Sequence, residues 1–570
     1  MASFRSFVAL LGILACPLSW AQQPYRSSVW CPDNGDGTYT NPVIYADYSD
    51  PDVCVGASGH DFYLTASSFN CIPGLPILHS RDLVNWQLVN HAVKALPPYD
   101  RYATPQHGNG VWAPSIRYNQ HNQTYYIYWG DPDLGVFVVT AKDPLGSWSE
   151  PQCIIEGKGM IDTTPLWDDD GRCYLVNGWA NSRCQFNSVL TVREMSADGL
   201  RPIGQPVIVF DGNGTENRTA EGPKFYKRDG WYWIFCPAGG VPTGHQLAMR
   251  SRSPFGPYEW QKVLEQGKTT VNGPHQGGWV HLPSGQDWFL HFQDMEAYGR
   301  VVWLEPMQWV DNWPVMGRKT SKYCGEPVLS HAKPQVAATS PICNPVENDE
   351  FSAPVLGPQW QWHANYDQTF GMPTAFGSYR LFCHQQDSHW RNHWQTPNLL
   401  LQKTPAPNFT ATTRFTFSAK EEGQSGGIIC MGLDYASLIV KRVGNAFQVQ
   451  QVVCPKADKG TPEEATVLAT LAPTSADAVD YQPALHLTLF MRLSVQYLGG
   501  VDELGQNLHK AQVTFSFSSD GKHWTPAPKP FTMRQGKWIG AKVGYVASEP
   551  SGLKVRGWLD ADWWRITTLK

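Results

Sequence analysis

The sequence predicts an all-β protein in which a five-bladed β-propeller is followed by a two-sheet antiparallel β-sandwich. Three observations support this fold class. A polar, turn-forming pair running into an aromatic strand recurs five times, the pattern changes to alternating strands after residue 348, and convincing helical periodicity is absent. The five repeats, here called anchors, are Gly-His-Asp-Phe-Tyr-Leu at 59–64, Asn-Gln-Thr-Tyr-Tyr-Ile at 122–127, Asp-Gly-Arg-Cys-Tyr-Leu at 170–175, Asp-Gly-Trp-Tyr-Trp-Ile at 229–234 and Gly-Gln-Asp-Trp-Phe-Leu at 285–290.

The anchor spacing sets the domain organisation. Successive anchors begin at residues 59, 122, 170, 229 and 285. Such a period suits a four-stranded propeller blade, so we expect the propeller over residues 35–328. A stretch containing Pro, Ala and Ser over 329–348 is predicted to be a linker. Alternating segments such as 412–417 and 511–517 predict the sandwich over residues 349–570.

The first 21 residues have the pattern of a secretory signal peptide. Arg5 precedes an apolar run over 7–14, and Ser-Trp-Ala at 19–21 forms a small-x-small cleavage site. We therefore expect an exported protein, secreted or periplasmic. A lipoprotein signal through Cys16 is an alternative, although Pro17 directly after the cysteine argues against it. No later segment is long and apolar enough to predict a transmembrane helix.

Composition narrows the classes of ligand. The formal charge of -5 over 570 residues argues against a nucleic-acid partner. The 25 tryptophans suit either a packed β core or stacking on neutral ligands such as sugars. Twelve cysteines remain after Cys16, an even number from which we expect one to three disulfides. Their spacing argues against a structural zinc site.

Three acidic residues stand at similar places before three of the anchors. Asp50, Asp162 and Glu221 each lie eight or nine residues before their anchor, while Trp112 and His275 stand in the two remaining repeats. Each is flanked by proline or glycine, so the same bend is expected to aim all five inward. Equivalent positions of radial repeats face the same way, and the three carboxylates should therefore converge on one site.

Converging carboxylates are what glycoside hydrolysis requires. An inverting reaction needs one carboxylate to deprotonate water and one protonated carboxyl to donate to the leaving oxygen. A third carboxylate would raise the pKa of its neighbour by like-charge repulsion and keep the acid protonated. Asp52 is a rival to Asp50, because strand alternation places both side chains on one face.

The quoted segments resemble glycoside hydrolase family 43, most closely its β-xylosidase and α-L-arabinofuranosidase branch. The resemblance spans the mature chain, because the tail from residue 350 to residue 566 is similar to that branch's concanavalin-like C-terminal domain. It rests on Asn-Pro-Val-Ile-Tyr-Ala-Asp-Tyr-Ser-Asp-Pro-Asp at 41–52, Trp-Ala-Pro at 112–114, Ile-Asp at 161–162, Glu-Gly-Pro at 221–223 and Gly-Arg at 299–300.

The resemblance distributes roles over these positions. It implies Asp50, directly before proline, as general base, Asp162 as pKa modulator and orienter, and Glu221 as general acid. Arg300 corresponds to the arginine that holds the substrate and the modulating aspartate. His275 matches an axial histidine that in some members ligates calcium or an ordered water, so calcium near His275 is an option although no cofactor is required.

Two aromatic residues are expected to shape the sugar pocket. Phe69 resembles the aromatic side chain at the −1 subsite, and Trp112 the one beside it. Since a pentose lacks the C6 hydroxymethyl group, an apolar wall there would exclude hexoses. The implied activity is exo-hydrolysis of β-1,4-xylo-oligosaccharides, with arabinofuranosidase or a bifunctional enzyme acting on arabinose-decorated oligosaccharides as the alternative.

Other hypotheses are weaker. A retaining fructan hydrolase would need an Arg-Asp-Pro motif, which the sequence lacks. A non-catalytic sugar-binding propeller would be suggested by the loss of one acid, and all three are present. The Asp-Asp-Asp run at 168–170 is predicted to be a solvated hairpin turn rather than a calcium site. The sandwich is expected to cover one rim of the pocket rather than to bind polysaccharide.

Overall fold

A computed structural model describes residues 24–337, 340–477, 483–501 and 507–569. The predicted signal peptide, residues 1–21, lies outside the described residues. Among the described residues the first domain contains five blade sheets, and the first four strands of each blade pair antiparallel in chain order from the inside outward. The all-β fold with a five-bladed propeller and a concanavalin-like sandwich is therefore confirmed.

Each blade begins at the propeller axis and contains four strands. Strand β1 (Thr38–Thr40) precedes the blades. Blade 1 is β2 (Asp52–Val55), β3 (Phe62–Thr65), β4 (Gly74–Ser80) and β5 (Gln87–Val93); blade 2 is β6 (Trp112–Asn119), β7 (Thr124–Asp131), β8 (Gly135–Ala141) and β9 (Gln152–Glu156); blade 3 is β10 (Met160–Trp167), β11 (Cys173–Trp179), β12 (Val189–Met195) and β13 (Val207–Asp211). Blade 4 is β14 (Lys224–Arg228), β15 (Trp231–Ala238), β16 (His245–Ser251) and β17 (Glu259–Leu264), and blade 5 is β18 (His275–His281), β19 (Asp287–Asp294), β20 (Arg300–Val310) and β21 (Trp313–Met316).

The anchors form the turn between the first and second strands of every blade, and the aromatic residues after the turn are buried. Strand β15, for example, is buried along almost its whole length, because a blade interior is covered on both faces by its neighbours. Strands β22 (Arg318–Lys319) and β23 (Gly325–Glu326) extend blade 4, and β24 (Ser330–Ala332) pairs with β1. An isolated antiparallel β-bridge between Ile44 and Val302 joins the segment before blade 1 to blade 5.

The second domain is a sandwich of two sheets. The first sheet has the order β25 (Gly371–Pro373), β26 (Tyr379–Phe382), β40 (Trp558–Thr567), β29 (Phe409–Ala419), β35 (Leu485–Tyr497), β36 (Ala511–Ser518) and β37 (Thr525–Pro526), with β34 (Ser475–Ala476) and β38 (Phe531–Met533) beside it. The second has the order β27 (His384–Gln385), β39 (Lys542–Glu549), β30 (Ser425–Met431), β31 (Tyr435–Val443), β32 (Ala446–Cys454) and β33 (Glu464–Leu471), with β28 (Leu400–Lys403) on β39.

Helical structure is confined to five short segments in the described part of the chain. These are α1 (Asn181–Cys184) and the 3₁₀ turns Arg101–Ala103, Glu296–Tyr298, His393–Gln395 and Ala457–Lys459. None of the described helices has the length and hydropathy needed to cross a membrane.

The two domains share one hydrophobic core. The largest buried cluster contains Tyr298 and Trp303 from the propeller together with Trp360 and Trp564 from the sandwich. Burial of such large aromatic side chains is worth about 1.5–3 kcal/mol each. Hydrogen bonds line the same seam, since the Asn365 side chain accepts from the backbone N–H of Leu96 and donates to its carbonyl oxygen.

The expectation of one to three disulfides is wrong for this structure. All twelve cysteines among the described residues are free thiols, and most of them are buried. Cys54 and Cys236, for example, are enclosed by blade strands, where burial raises the pKa of each thiol. These cysteines behave as small apolar core residues.

Candidate active site

One bend recurs on the inner strand of every blade. A residue with positive φ interrupts each inner segment at the same register: Asp50 (55°), Ala113 (35°), Asp162 (59°), Gly222 (59°) and Gln276 (34°). The ladders of blades 2, 3 and 5 also shift register there. Positive φ outside glycine costs energy and persists where the surrounding structure enforces it, often at functional sites.

The bend refines the sequence alignment of the repeats. Asp50 and Asp162 stand at the bend itself, whereas Glu221 precedes it by one residue, as Trp112 and His275 also do. The five residues are therefore not strictly equivalent. Side chains at the bend and side chains one residue before it reach the propeller axis at different heights along it. Several groups can therefore converge without colliding.

The converging side chains line a pocket of about 320 Å³ at one mouth of the propeller. A larger cavity of about 650 Å³ lies elsewhere, and its one acid, Asp61, is paired with His79 and Arg81. The pocket is lined by Asp50, Phe69, Trp112, Ala113, Ile161, Asp162, Thr219, Glu221, Gly240, Val241, Pro242, Gln276, Arg300 and Trp538.

Asp50 is held as a hydrogen-bond acceptor on both carboxylate oxygens. Its Oδ2 accepts from the hydroxyls of Ser49 (2.8 Å) and Ser67 (2.6 Å), and its Oδ1 accepts from Nη1 of Arg300 (3.0 Å). The Ser67 hydroxyl in turn accepts from the backbone N–H of Ala113 (2.7 Å). Three donors therefore hold the Asp50 carboxylate in place.

Asp52 does not share this environment. The expected alternation fails because Asp50 lies at the positive-φ bend before β2, so the two side chains are not on one strand face. The carboxylate of Asp52 is fully buried away from the pocket, accepts from Nη1 of Arg117 (2.5 Å) and accepts from the backbone N–H of Ile116 (2.8 Å). Asp52 is a structural counter-ion.

Asp162 ties blade 3 to the residue after Glu221. Its Oδ2 accepts from the backbone N–H of Gly222 (2.7 Å), a bond that fixes the bend next to Glu221. Burial raises the pKa of Asp162, and repulsion from Asp50 raises it further. The geometry suits the orienting role that the resemblance implies.

Glu221 faces the pocket, and its carboxyl group has no hydrogen-bond partner among the described residues. Its side chain keeps 34% of its surface accessible, and its Oε1 lies 3.7 Å from Nε2 of His275. Burial in the protein raises the pKa of Glu221, with further contributions from the charges of Asp162 and Asp50. The direction is the one expected from the sequence, although burial is a larger cause than like-charge repulsion. A carboxyl in this setting retains its proton near neutral pH.

Arg300 contacts Asp50 rather than Asp162, the aspartate that the resemblance implies it would hold. Its Nη1 donates to the Ser49 hydroxyl (2.6 Å) and to Asp50, while no hydrogen bond joins Arg300 to Asp162 among the described contacts. Its guanidinium also lies 4.8 Å from the ring centre of Phe292. The charge of Arg300 still lowers the pKa values of Asp162 and Glu221, opposing their burial.

His275 lies behind Glu221 and is buried. Neither ring nitrogen has a hydrogen-bond partner among the described residues, and burial together with the charge of Arg300 holds its pKa well below the usual range. No group of three or more His, Cys, Asp or Glu side chains that could hold a metal was found in the described part of the chain. The suggestion of calcium near His275 therefore has no support from this structure.

Aromatic side chains form the apolar wall. Phe69 and Trp112 meet edge to face at 6.3 Å between ring centres, and Trp112 meets Trp538 in the same way at 6.1 Å. Trp538 belongs to the sandwich, so the second domain contributes to the pocket wall. This placement agrees with the expected rim role.

Sequence analysis missed four contributors. These contributors to the pocket lining are Trp538, Gln276, Thr219 and the loop over 240–242, and of them only Gln276 stands at a repeated position. Gln276 was detectable in principle, because it stands at the bend position of blade 5 that Asp50 and Asp162 occupy in blades 1 and 3.

The expected solvated turn at residues 168–170 is only partly correct. The run does connect β10 to β11, but Asp168 is buried and contacts the Lys227 amine and the Tyr232 hydroxyl. Asp168 therefore joins blade 3 to blade 4.

The contrast between the two acids of blade 1 predicts a stability effect. Asp52→Ala should destabilise the propeller by about 3–5 kcal/mol, because Arg117 would be left as a buried charge without its partner. Urea unfolding followed by tryptophan fluorescence measures this change. Asp170→Ala, at an exposed pair with Arg172, is the control and should leave the transition in place. Equal transitions in the two variants would refute a structural role for Asp52.

The raised pKa of Glu221 predicts a pH-dependent stability difference. Because the folded-state pKa lies above the unfolded value of about 4.5, ionisation favours the unfolded chain, and this cost grows as pH rises through the folded pKa. Glu221→Gln removes the cost. The variant and the wild type should have the same Tm at pH 4, and the variant should have the higher Tm at pH 8. Scanning calorimetry measures both. A difference independent of pH would contradict the shift.

Comparisons with known proteins agree with this geometry. Residues 39–314 match the model of glycosyl hydrolases family 43, and residues 348–567 match the β-xylosidase C-terminal concanavalin A-like domain. The chain is 34% identical to a putative β-xylosidase of Xylanibacter ruminicola, over 90% of this chain and 87% of the relative.

Two further similarities cover most of the chain. A non-reducing-end α-L-arabinofuranosidase of Bacteroides ovatus is 28% identical over 78% of this chain and 80% of its own length. The crystal structure of a xylan β-1,4-xylosidase from Bacillus halodurans shares the fold with a TM-score of 0.73 and 20% identity, covering 93% of this chain and 99% of that one. By its family match, its two-domain fold and its acid-lined pocket, the chain belongs to glycoside hydrolase family 43.

Proposed function

We propose that the protein is an inverting, exo-acting β-xylosidase that releases terminal xylose from β-1,4-xylo-oligosaccharides. The observation that carries the proposal is the asymmetry between two acids of one pocket. Asp50 accepts from three hydrogen-bond donors, whereas Glu221 has no hydrogen-bond partner among the described residues and has a raised pKa. One carboxylate and one carboxylic acid are the pair that glycoside hydrolysis needs.

Each acid then has one task. Asp50 removes a proton from the attacking water while the Arg300 guanidinium keeps the carboxylate in place. Glu221 donates its proton to the glycosidic oxygen as the bond to the leaving group breaks. Asp162 fixes the peptide of Gly222 and so orients Glu221, and its negative charge helps Glu221 retain its proton. Acids from different blades leave room for a water between them, which favours inversion.

The pocket supports release of single terminal sugars. Its volume of about 320 Å³ lies at the small end of ligand sites, and residues from both domains enclose it. The apolar wall of Phe69 and Trp112 would exclude the hydroxymethyl group of a hexose. Similarity to the putative β-xylosidase of Xylanibacter ruminicola favours xylose, and similarity to the arabinofuranosidase of Bacteroides ovatus keeps arabinose as the alternative.

Kinetics on two classes of leaving group test the roles. Glu221→Gln should lower kcat on xylobiose by about 10²–10⁴-fold but much less on p-nitrophenyl xyloside, whose leaving group needs no protonation. Asp50→Asn should lower both rates by a similar large factor, because water activation is needed in each case. Asp170→Asn, at an exposed turn, is the control. Wild-type rates in either active-site variant would refute the assignments.

Substrate preference and stereochemistry complete that test. The wild-type protein should have a higher kcat/KM on the aryl xyloside than on the aryl arabinofuranoside; the reverse order would establish the alternative. Proton NMR of a fresh reaction on a β-xyloside should show α-xylose first. β-Xylose as the first product would exclude inversion.

We also propose that the enzyme is exported, on the basis of the sequence over 1–21. Expression with the native leader should yield an extracytoplasmic protein that begins at Gln22, as measured by N-terminal sequencing. A chain that retains Met1, or one carrying a lipid on Cys16, would contradict cleavage at this site.

A further inference from the structure

A buried acid three residues before Asp50 lies on the seam between the two domains. Asp47 is 3% exposed, and each of its carboxylate oxygens accepts one backbone N–H. Its Oδ1 accepts from Arg300 (2.9 Å) in the propeller, and its Oδ2 accepts from Gly540 (2.9 Å) in the sandwich. One side chain thus joins the arginine of the active site to a loop of the second domain.

The backbones around this carboxylate are too close for side chains. A Cβ added to Gly299, which has φ of +78°, would lie 2.5 Å from Cγ of Asp47. A Cβ added to Gly540 would lie 2.6 Å from the carbonyl oxygen of Tyr298. The N–H of Ala541 also donates to the carbonyl oxygen of Ala297 (2.8 Å). This close approach defines the register of the sandwich loop against the start of β20.

The same short segment holds Arg300 at three points. Asp47 accepts from its backbone N–H, Tyr48 donates its own N–H to the Arg300 carbonyl oxygen (3.0 Å), and Ser49 and Asp50 accept from its guanidinium. Both ends of Arg300 are therefore fixed by residues 47–50.

The sandwich loop carries a wall of the pocket. Trp538 lies two residues before Gly540, has φ of +65° and contacts Trp112. Its side chain is 48% exposed, so packing alone does not fix its position. Among the described hydrogen bonds from this loop to the propeller, the bond from Gly540 to Asp47 is the nearest to Trp538 along the chain. Its acceptor is the same carboxylate that holds Arg300.

We propose that Asp47 is a positioning residue. It holds Trp538 at a fixed position relative to Arg300 and to Asp50, the proposed base. The proposal rests on the proposed glycosidase function, for which this register matters. Asp47 is not among the residues that line the pocket. It acts through the two backbone N–H groups, so that the sandwich loop and the catalytic arginine are placed by one carboxylate.

The first test is a variant series on p-nitrophenyl xyloside. Asp47→Asn keeps the shape but can offer only one oxygen to two N–H groups, so one bond is lost. We expect kcat/KM to fall by about 10- to 100-fold, since misplacement of positioning groups by about 1 Å has effects of this size. In a Trp538→Ala background the same substitution should have a much smaller effect, because the loop side chain that it positions is gone.

Asn365→Ala provides the matched control. Asn365 is also a buried seam residue whose side chain bonds to backbone, but its bonds go to Leu96 and Tyr99 and not to Arg300. Its replacement should lower Tm. If Asn365→Ala also lowers kcat/KM, the loss in the double variant with Trp538→Ala should equal the product of the two single losses. If the fold-losses of Asp47→Asn and Trp538→Ala also multiplied fully in the double variant, the proposal would be overturned. Wild-type kinetics in a folded Asp47→Asn protein would overturn it as well.

Hydrogen exchange tests the docking independently of catalysis. Amides over 535–541 should exchange faster in Asp47→Asn than in the wild type, while those of β29 and β35 should be unchanged. Unchanged exchange over 535–541 would overturn the proposal even if activity fell. Conversely, a wild type inactive on all glycosides would refute the proposed function, and the exchange experiment would still decide whether Asp47 docks the loop.

Discussion

The ion pair between Arg300 and Asp50 is the interaction on which the rest of the site depends. Three carboxyl groups converge in one pocket, and burial raises the pKa values of Asp162 and Glu221. The Arg300 guanidinium is bonded to Asp50, and at the other two acids burial outweighs the effect of its charge, so that their pKa values are raised. Arg300 therefore distinguishes Asp50 from Asp162 and Glu221, which have no hydrogen bond to this cation among the described residues.

The backbone makes that arrangement possible. Every blade has a positive-φ residue at the same register of its inner segment, and the bend turns side chains towards the axis. Aspartate and alanine adopt this conformation only at a cost in energy. The packed blades on either side enforce the conformation despite that cost. The fold thus supplies five similar positions, of which the chain uses Asp50 and Asp162 at the bend and Glu221 one residue before it.

The sandwich is part of the site as well as of the core. The shared aromatic cluster fixes the two domains together, and the loop with Trp538 reaches the pocket mouth. The pocket is thus built by the propeller together with a loop of the second domain. Asp47 lies where these two contributions meet.

The sequence by itself determined the repeats, the number of blades, the sandwich and the three acids, because turn residues and strand alternation are local signals. Tertiary structure decided which neighbours those acids have. It separated Asp50 from Asp52, gave Arg300 to Asp50, buried Asp168 and brought Trp538 across the seam. It also left the cysteines as free thiols. These features depend on contacts between residues distant in the chain, and no local pattern specifies which distant side chain fills a given space.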